Sequence, residues 1–251
     1  MMQLSQTELQ DLKRAKNLLE NPGLAVKLSN MLGMPLEKVL GNLPAKWSGK
    51  VEDIIQTALK KAADTAANSL QHDPGRASSD TWHKVSVAVT GGIGGLFGLA
   101  ALSVELPVST TLIMRSIVDI ARSEGENIKE EQTRLACLEV FALGGTSEED
   151  DAAEFGYYGV RAGLAYSAKG ITEKGAAILA QFISVVAKRF SSSVLQKLSA
   201  QAVPIIGGAG GAIINTIFMT HYQDMARGHF IIRRLERKYG QEIISGLYKT
   251  L

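Results

Sequence analysis

The chain has 251 residues, of which 45% are hydrophobic and 21% charged, with 27 basic side chains against 25 acidic ones. Roughly 70–75% of the unfolded surface can be buried at this length, which excludes a disordered tail, and the near-even charge argues against a general polyanion binder. The one cysteine, Cys137, excludes an intramolecular disulfide and a cysteine-based zinc ribbon, while a mean hydropathy close to zero excludes a polytopic membrane protein.

Met1 to Glu8 lacks a basic start followed by an apolar run, so no export signal is expected and the reducing cytoplasm is the expected location. Ser5 and Glu8 have the spacing of a capping box. Leu9, Leu12, Ala15 and Leu19 then recur at helical spacing until Asn21-Pro22-Gly23. Short apolar pieces follow over 24–32 and, after Pro35 in a first helical turn, at Leu36, Val39 and Leu40. Pro44 closes an N-terminal segment of short helices, residues 1–45, packed on the larger helical domain expected over 46–251. That domain opens with a long amphipathic helix traced by Val51, Ile55, Ala58, Leu59, Ala62 and Leu70 and stopped at Asp73-Pro74-Gly75.

Two uncharged stretches follow, one between Lys84 and Glu105, the other between Lys197 and Asp224. Each carries Gly-Gly-x-Gly-Gly, so Gly91 with Gly95 and Gly207 with Gly211 form small-residue pairs one helical turn apart that permit close helix approach. Asp119-Ile120-Ala121-Arg122 and Asp224-Met225-Ala226-Arg227 lie downstream of them, a weak internal repeat of helical hairpins. Between these stretches, Leu135, Leu138, Phe141 and Ala142 form a helix stopped at Gly144-Gly145, and Thr146-Ser147 with Glu148 to Asp151 reads as a capped, acidic first turn. Leu179, Phe182, Ile183 and Val186 trace another apolar face, and residues 205–239 read as one long helix ending at Gly240. The whole predicts an all-α bundle of roughly eight to ten helices around a glycine-rich packed centre.

Motifs for chemistry are few. VSVAVT before TGGIGG, residues 85–95, has the strand and glycine turn of a dinucleotide site, but Phe97 stands where glycine is needed and no alternating strands follow. The uncharged stretch at 85–104 is long enough to span a bilayer core, yet its flanks lack a basic and aromatic girdle, which favours a helix buried in a soluble bundle. No H-E-x-x-H or other metal spacing occurs, so neither a metal nor a cofactor is expected. There is no G-x-S-x-G elbow. Arg233, Arg234, Arg237 and Lys238, interleaved with Phe230, Ile231, Ile232 and Leu235, form a basic amphipathic helix end suited to anionic lipid headgroups; complementing its own helix dipole is the simpler role. No aromatic platform for nucleic-acid bases is visible.

Several runs together resemble the EcsC family of bacterial proteins. They are Met34 to Leu40, Leu106 to Thr111 with Arg115 and Asp119 to Ala121, Cys137 to Gly145, Val203-Pro204 to Asn215, and His221 through Phe230 to Arg237. The resemblance runs nearly end to end and implies an intracellular, membrane-associated helical protein, but it carries no known reaction. The leading expectation is a non-enzymatic protein that associates with the inner face of a membrane through an anionic lipid surface or a membrane-protein partner. A hydrolase would instead draw on Arg115, Asp119, Glu139, His221, Asp224 and His229, placed by helical spacing and by these motifs. Convergence of the six on one cavity marks chemistry, whereas dispersal marks a network that fixes helix register. A lipid- or small-hydrophobic-ligand-binding protein would line a large apolar cavity with residues 207–215 and 91–102.

Overall fold

The computed structural model describes residues 4–20, 23–40, 47–69, 98–145, 156–169, 176–203 and 207–251. The helices are α1 (Gln6–Glu20), α2 (Leu24–Leu32), α3 (Glu37–Leu40), α4 (Trp47–Ser69), α5 (Gly98–Ser123), α6 (Glu131–Leu143), α7 (Tyr157–Ser167), α8 (Ala176–Gln201), α9 (Gly207–Tyr239) and α10 (Gln241–Thr250). No strand occurs among the described residues, and the fold is an all-α, multi-helix bundle. Gly91, Gly95, the 85–90 run and the acidic run at 148–151 lie outside the described residues.

Local signals set several helix ends. The Glu8 amide donates to Ser5 Oγ at 3.2 Å while the Ser5 amide donates to Glu8 Oε2 at 2.9 Å, which closes the capping box that starts α1. Gly240, at φ 91°, stops α9, and the chain resumes at once as α10, a helix the sequence patterning did not reveal. Pro107 sits inside α5, and its carbonyl accepts a hydrogen bond from Thr111 Oγ1 at 2.7 Å.

α9, with 33 residues, is about 50 Å long at 1.5 Å rise per residue. It joins two apolar clusters. Its N-terminal half buries Phe218 and Tyr222 against Phe141 of α6 and Phe190 of α8, with ring centroids 4.9 to 6.1 Å apart. Gly144 and Gly145 at the end of α6 permit this crossing, because a Cβ on Gly145 would strike the Arg189 carbonyl and one on Gly144 would strike the Tyr222 ring. The C-terminal half of α9 buries Ile231, Ile232 and Leu235 with Leu12 and Ala15 of α1, Tyr157 of α7, and Ile244 and Tyr248 of α10. Gly228 brings α1 close, since a Cβ there would stand 2.9 Å from the Ala15 carbonyl oxygen. Gly211 is buried on α9, and Gly207 begins that helix.

Candidate functional site

The basic end of α9 lies inward as much as outward. Arg233 donates to Glu126 from Nε at 2.8 Å and from Nη2 at 3.1 Å, and Arg237 pairs with the same carboxylate. Arg234 pairs with Asp11 at 2.8 Å and with Glu124 at 2.9 Å, and Lys238 with Glu8 at 2.6 Å. All four cations proposed for lipid headgroups are therefore engaged with acids of α1 and of the turn after α5. The pairs tie both of those segments to α9. Glu126 is 4% exposed; burial alone would raise its carboxyl, but hydrogen bonds and charge from Arg233, with Arg237 and Thr133, hold it below its ordinary value.

On the other side of Arg233 a cleft of about 460 Å³ opens between α6, α7 and α9. Glu139 of α6, Tyr158 and Arg161 of α7, and Arg233 line its polar part, while Leu135, Ala162 and Ala165 line an apolar wall. Arg161 donates to both oxygens of Glu236, at 2.8 and 3.0 Å, and Tyr158 Oη donates to Oε1 of the same carboxylate at 3.0 Å. Burial alone would lower Arg161, but Tyr157, Glu236 and Glu139 hold its guanidinium above its ordinary value, so the charge is permanent.

Behind this wall Glu139 and His229 meet, with Oε2 and Nε2 3.6 Å apart. That distance is too long for a hydrogen bond. Burial raises the Glu139 carboxyl above its ordinary value, although Arg161 and Arg233 oppose it, and burial holds His229 well below its own, reinforced by the same two arginines. Both directions favour neutral groups, so the contact is no ion pair. Tyr157 Oη lies 2.9 Å from His229 Nδ1. Burial raises the Tyr157 phenol well above its usual range, so the tyrosine keeps its proton in this contact. His229 Nε2 is buried without a hydrogen-bond partner and faces Glu139, whose carboxyl makes no hydrogen bond within the described residues.

The other expected residues stand elsewhere. Arg115 and Asp119 lie on α5, where Asp119 pairs with Arg122 one turn along and Arg115 Nε is buried without a hydrogen-bond partner. His221 donates from Nε2 to the Gly144 carbonyl at 2.8 Å, and burial lowers it to about 4. Asp224 pairs with Lys27 of α2 at 2.8 Å. Of the six, Glu139 meets His229 and, apart from them, Asp224 lies near His221, so the six do not converge on one cavity. Tyr157, Tyr158, Arg161, Glu126 and Glu236 complete the cluster and were missed. A signal existed: His229, Arg233 and Glu236 recur at i, i+4, i+7 on one face of α9. A separate buried pair, Lys197 with Glu105 at 2.5 Å, joins α8 to α5 near Asn215. Among the described residues, no group of three His, Cys, Asp or Glu side chains is placed to hold a metal ion.

These features define an all-helical protein whose polar groups gather between helices beside a ligand-sized cleft. The chain belongs to the EcsC protein family, whose profile matches residues 6–235. α10 lies beyond the matched span. No curated protein matches the chain, and no solved structure does.

Proposed function

We propose that this protein works by binding, as a non-enzymatic helical protein whose ligand site is the cleft between α6, α7 and α9. One observation carries the reading: Glu139, which makes no hydrogen bond within the described residues, lines a cleft of about 460 Å³, and His229 Nε2 is buried behind it without a hydrogen-bond partner. A ligand able to hydrogen-bond to Glu139 gains about 0.5–1.5 kcal/mol from each such bond, and the volume falls within the roughly 300–1,000 Å³ of small-molecule sites. A hydrolytic role finds less support, because Tyr157 is held protonated and Cys137 is buried with its thiol pushed well above the usual range. Saturation-transfer NMR with a fragment library of mixed charge tests the reading. Ala165→Trp, at an exposed position on the cleft wall, should remove the hits while leaving the fold intact. Hits that persist unchanged in that variant, or no hits with the wild type, refute it.

A second reading, peripheral association with an anionic bilayer or a membrane-protein partner, draws on a different observation. Among the described residues one helix, Ala177–Gln201 within α8, is long and apolar enough to cross a membrane, and only 39% of its apolar window is buried. Val104 and Val108 on α5 and Ile213 on α9 are also exposed. In this reading apolar contact takes the leading role, since the cations of α9 are already paired. Flotation with phosphatidylglycerol vesicles tests it: Val104→Glu with Val108→Glu should abolish co-flotation, and equal flotation of that variant and the wild type counts against it.

A further inference from the structure

We infer that the cleft takes a small organic monoanion, a carboxylate with an apolar body, seated against Arg161, Arg233 and Glu139; this rests on the cleft being a ligand site. Three cations line it, Arg161, Lys169 and Arg233, against two acids, Glu131 and Glu139. Glu236 and Glu126, the carboxylates that pair with two of those cations, are not among the lining residues. Arg161 uses Nη1 and Nη2 on Glu236, and Arg233 uses Nε and Nη2 on Glu126. Arg161 Nε and Arg233 Nη1 make no hydrogen bond within the described residues, so each anchored arginine keeps a guanidinium nitrogen with no partner to offer a ligand. Anchoring by a carboxylate from behind fixes the guanidinium, which lowers the ordering cost of binding.

Glu139 decides the sign of the preferred ligand. Ionised, it would repel a carboxylate and attract an ammonium; neutral, it donates a hydrogen bond to a carboxylate. The groups that act on it are His229, Arg233 and Glu236 of α9, Tyr157 and Arg161 of α7 and Cys137 of its own helix, while Glu131, Tyr158 and Lys169 line the cleft with it and Glu126 lies beyond Cys137. Among them His229 is neutral and cannot stabilise an ionised Glu139 as a cation would, and burial favours the protonated carboxyl over the opposing charges of Arg161 and Arg233. The carboxyl therefore keeps its proton to higher pH than an ordinary carboxylate, and because an anion favours the protonated form, its binding is linked to pH. The apolar wall of Leu135, Ala162, Ala165 and Ala168 receives the ligand's body.

Three probes with one tail and different heads make the test: octanoate, octanol and octylammonium, titrated calorimetrically against the whole chain from pH 6 to 9. Octanoate should bind at least about tenfold more tightly than either other probe at pH 6, the scale of one added charge-assisted hydrogen bond. Its affinity should fall by up to about tenfold per pH unit above the Glu139 pKa. Glu139→Gln, which imitates the neutral carboxyl, should bind octanoate and lose that pH dependence. Lys169→Gln, at an exposed position, should weaken octanoate and spare octanol. Equal binding of the three probes, with loss of all three in Ala165→Trp, overturns the anion assignment and leaves the cleft as a ligand site. Octylammonium binding best, or no octanoate binding, also overturns it, as does a wild-type pH profile that matches Glu139→Gln.

Discussion

Replacing Glu126 with glutamine removes a charge shared by the turn after α5, by α6 and by α9. The carboxylate accepts hydrogen bonds from Arg233 at 2.8 and 3.1 Å and from Thr133 Oγ1 at 3.2 Å, and it pairs with Arg237. Glutamine preserves the volume but has one acceptor oxygen, and its amide group turns a donor toward a guanidinium. Breaking a buried pair by removing one partner costs about 3–5 kcal/mol. Here the Arg237 side chain is 42% exposed and regains water, so the low end, about 3 kcal/mol, is the expected loss. In a chain of this length that lowers the thermal midpoint by about 6–12 °C, at roughly 2–4 °C per kcal/mol. Because the folded-state pKa of Glu126 is depressed, its stabilisation is present above the ordinary carboxylate range and is lost as pH falls through the folded value. Thermal unfolding of wild type and variant, followed by circular dichroism from pH 7 down into that range, measures both effects. A difference below about 1 kcal/mol at pH 7, or one that does not shrink in acid, would show that this pair does not hold α9 to the turn.

Gly228→Ala should cost about 1–3 kcal/mol by pushing α1 from α9, whereas Gly163→Ala on the open surface of α7 should add about 0.5–1 kcal/mol; opposite signs in paired melts check the crossing geometry. Cys137 should resist Ellman's reagent until denaturant unfolds the chain, and prompt labelling of native protein would show that α6 is not packed as described. His221, lowered by burial from 6.5 to about 4, is neutral in the fold, so the stability it contributes is lost as pH falls between those values, roughly 3 kcal/mol in all. Urea midpoints of wild type and His221→Gln should therefore diverge above pH 6.5 and approach one another toward pH 4.

Helices were legible because their signals are local. Ser5 and Glu8 stand three residues apart, Leu12 and Ala15 mark the buried face of α1, and Gly240 carries the positive φ that ends α9. Residues three or four apart share a helical face whatever the rest of the chain does. Glu139 and His229 were likewise picked from their own segments.

What surrounds them was not legible. Tyr157 is 72 positions from the His229 it contacts, Arg161 is 75 from Glu236, and Arg233 is 107 from Glu126. The basic run 233–238 reads as a free cationic face in one dimension, because spacing along a helix says which side chains point together and nothing about which acids another helix brings to them. Glu8, Asp11, Glu124 and Glu126 arrive from up to 230 positions away and pair with that run. The sequence by itself determined an all-α chain, most of its helices, Glu139 of the cleft and His229 behind it. Only the tertiary structure decided which charges are neutralised and which line the cleft, since a side chain's ionisation and partners depend on burial and on neighbours that packing, not chain order, supplies.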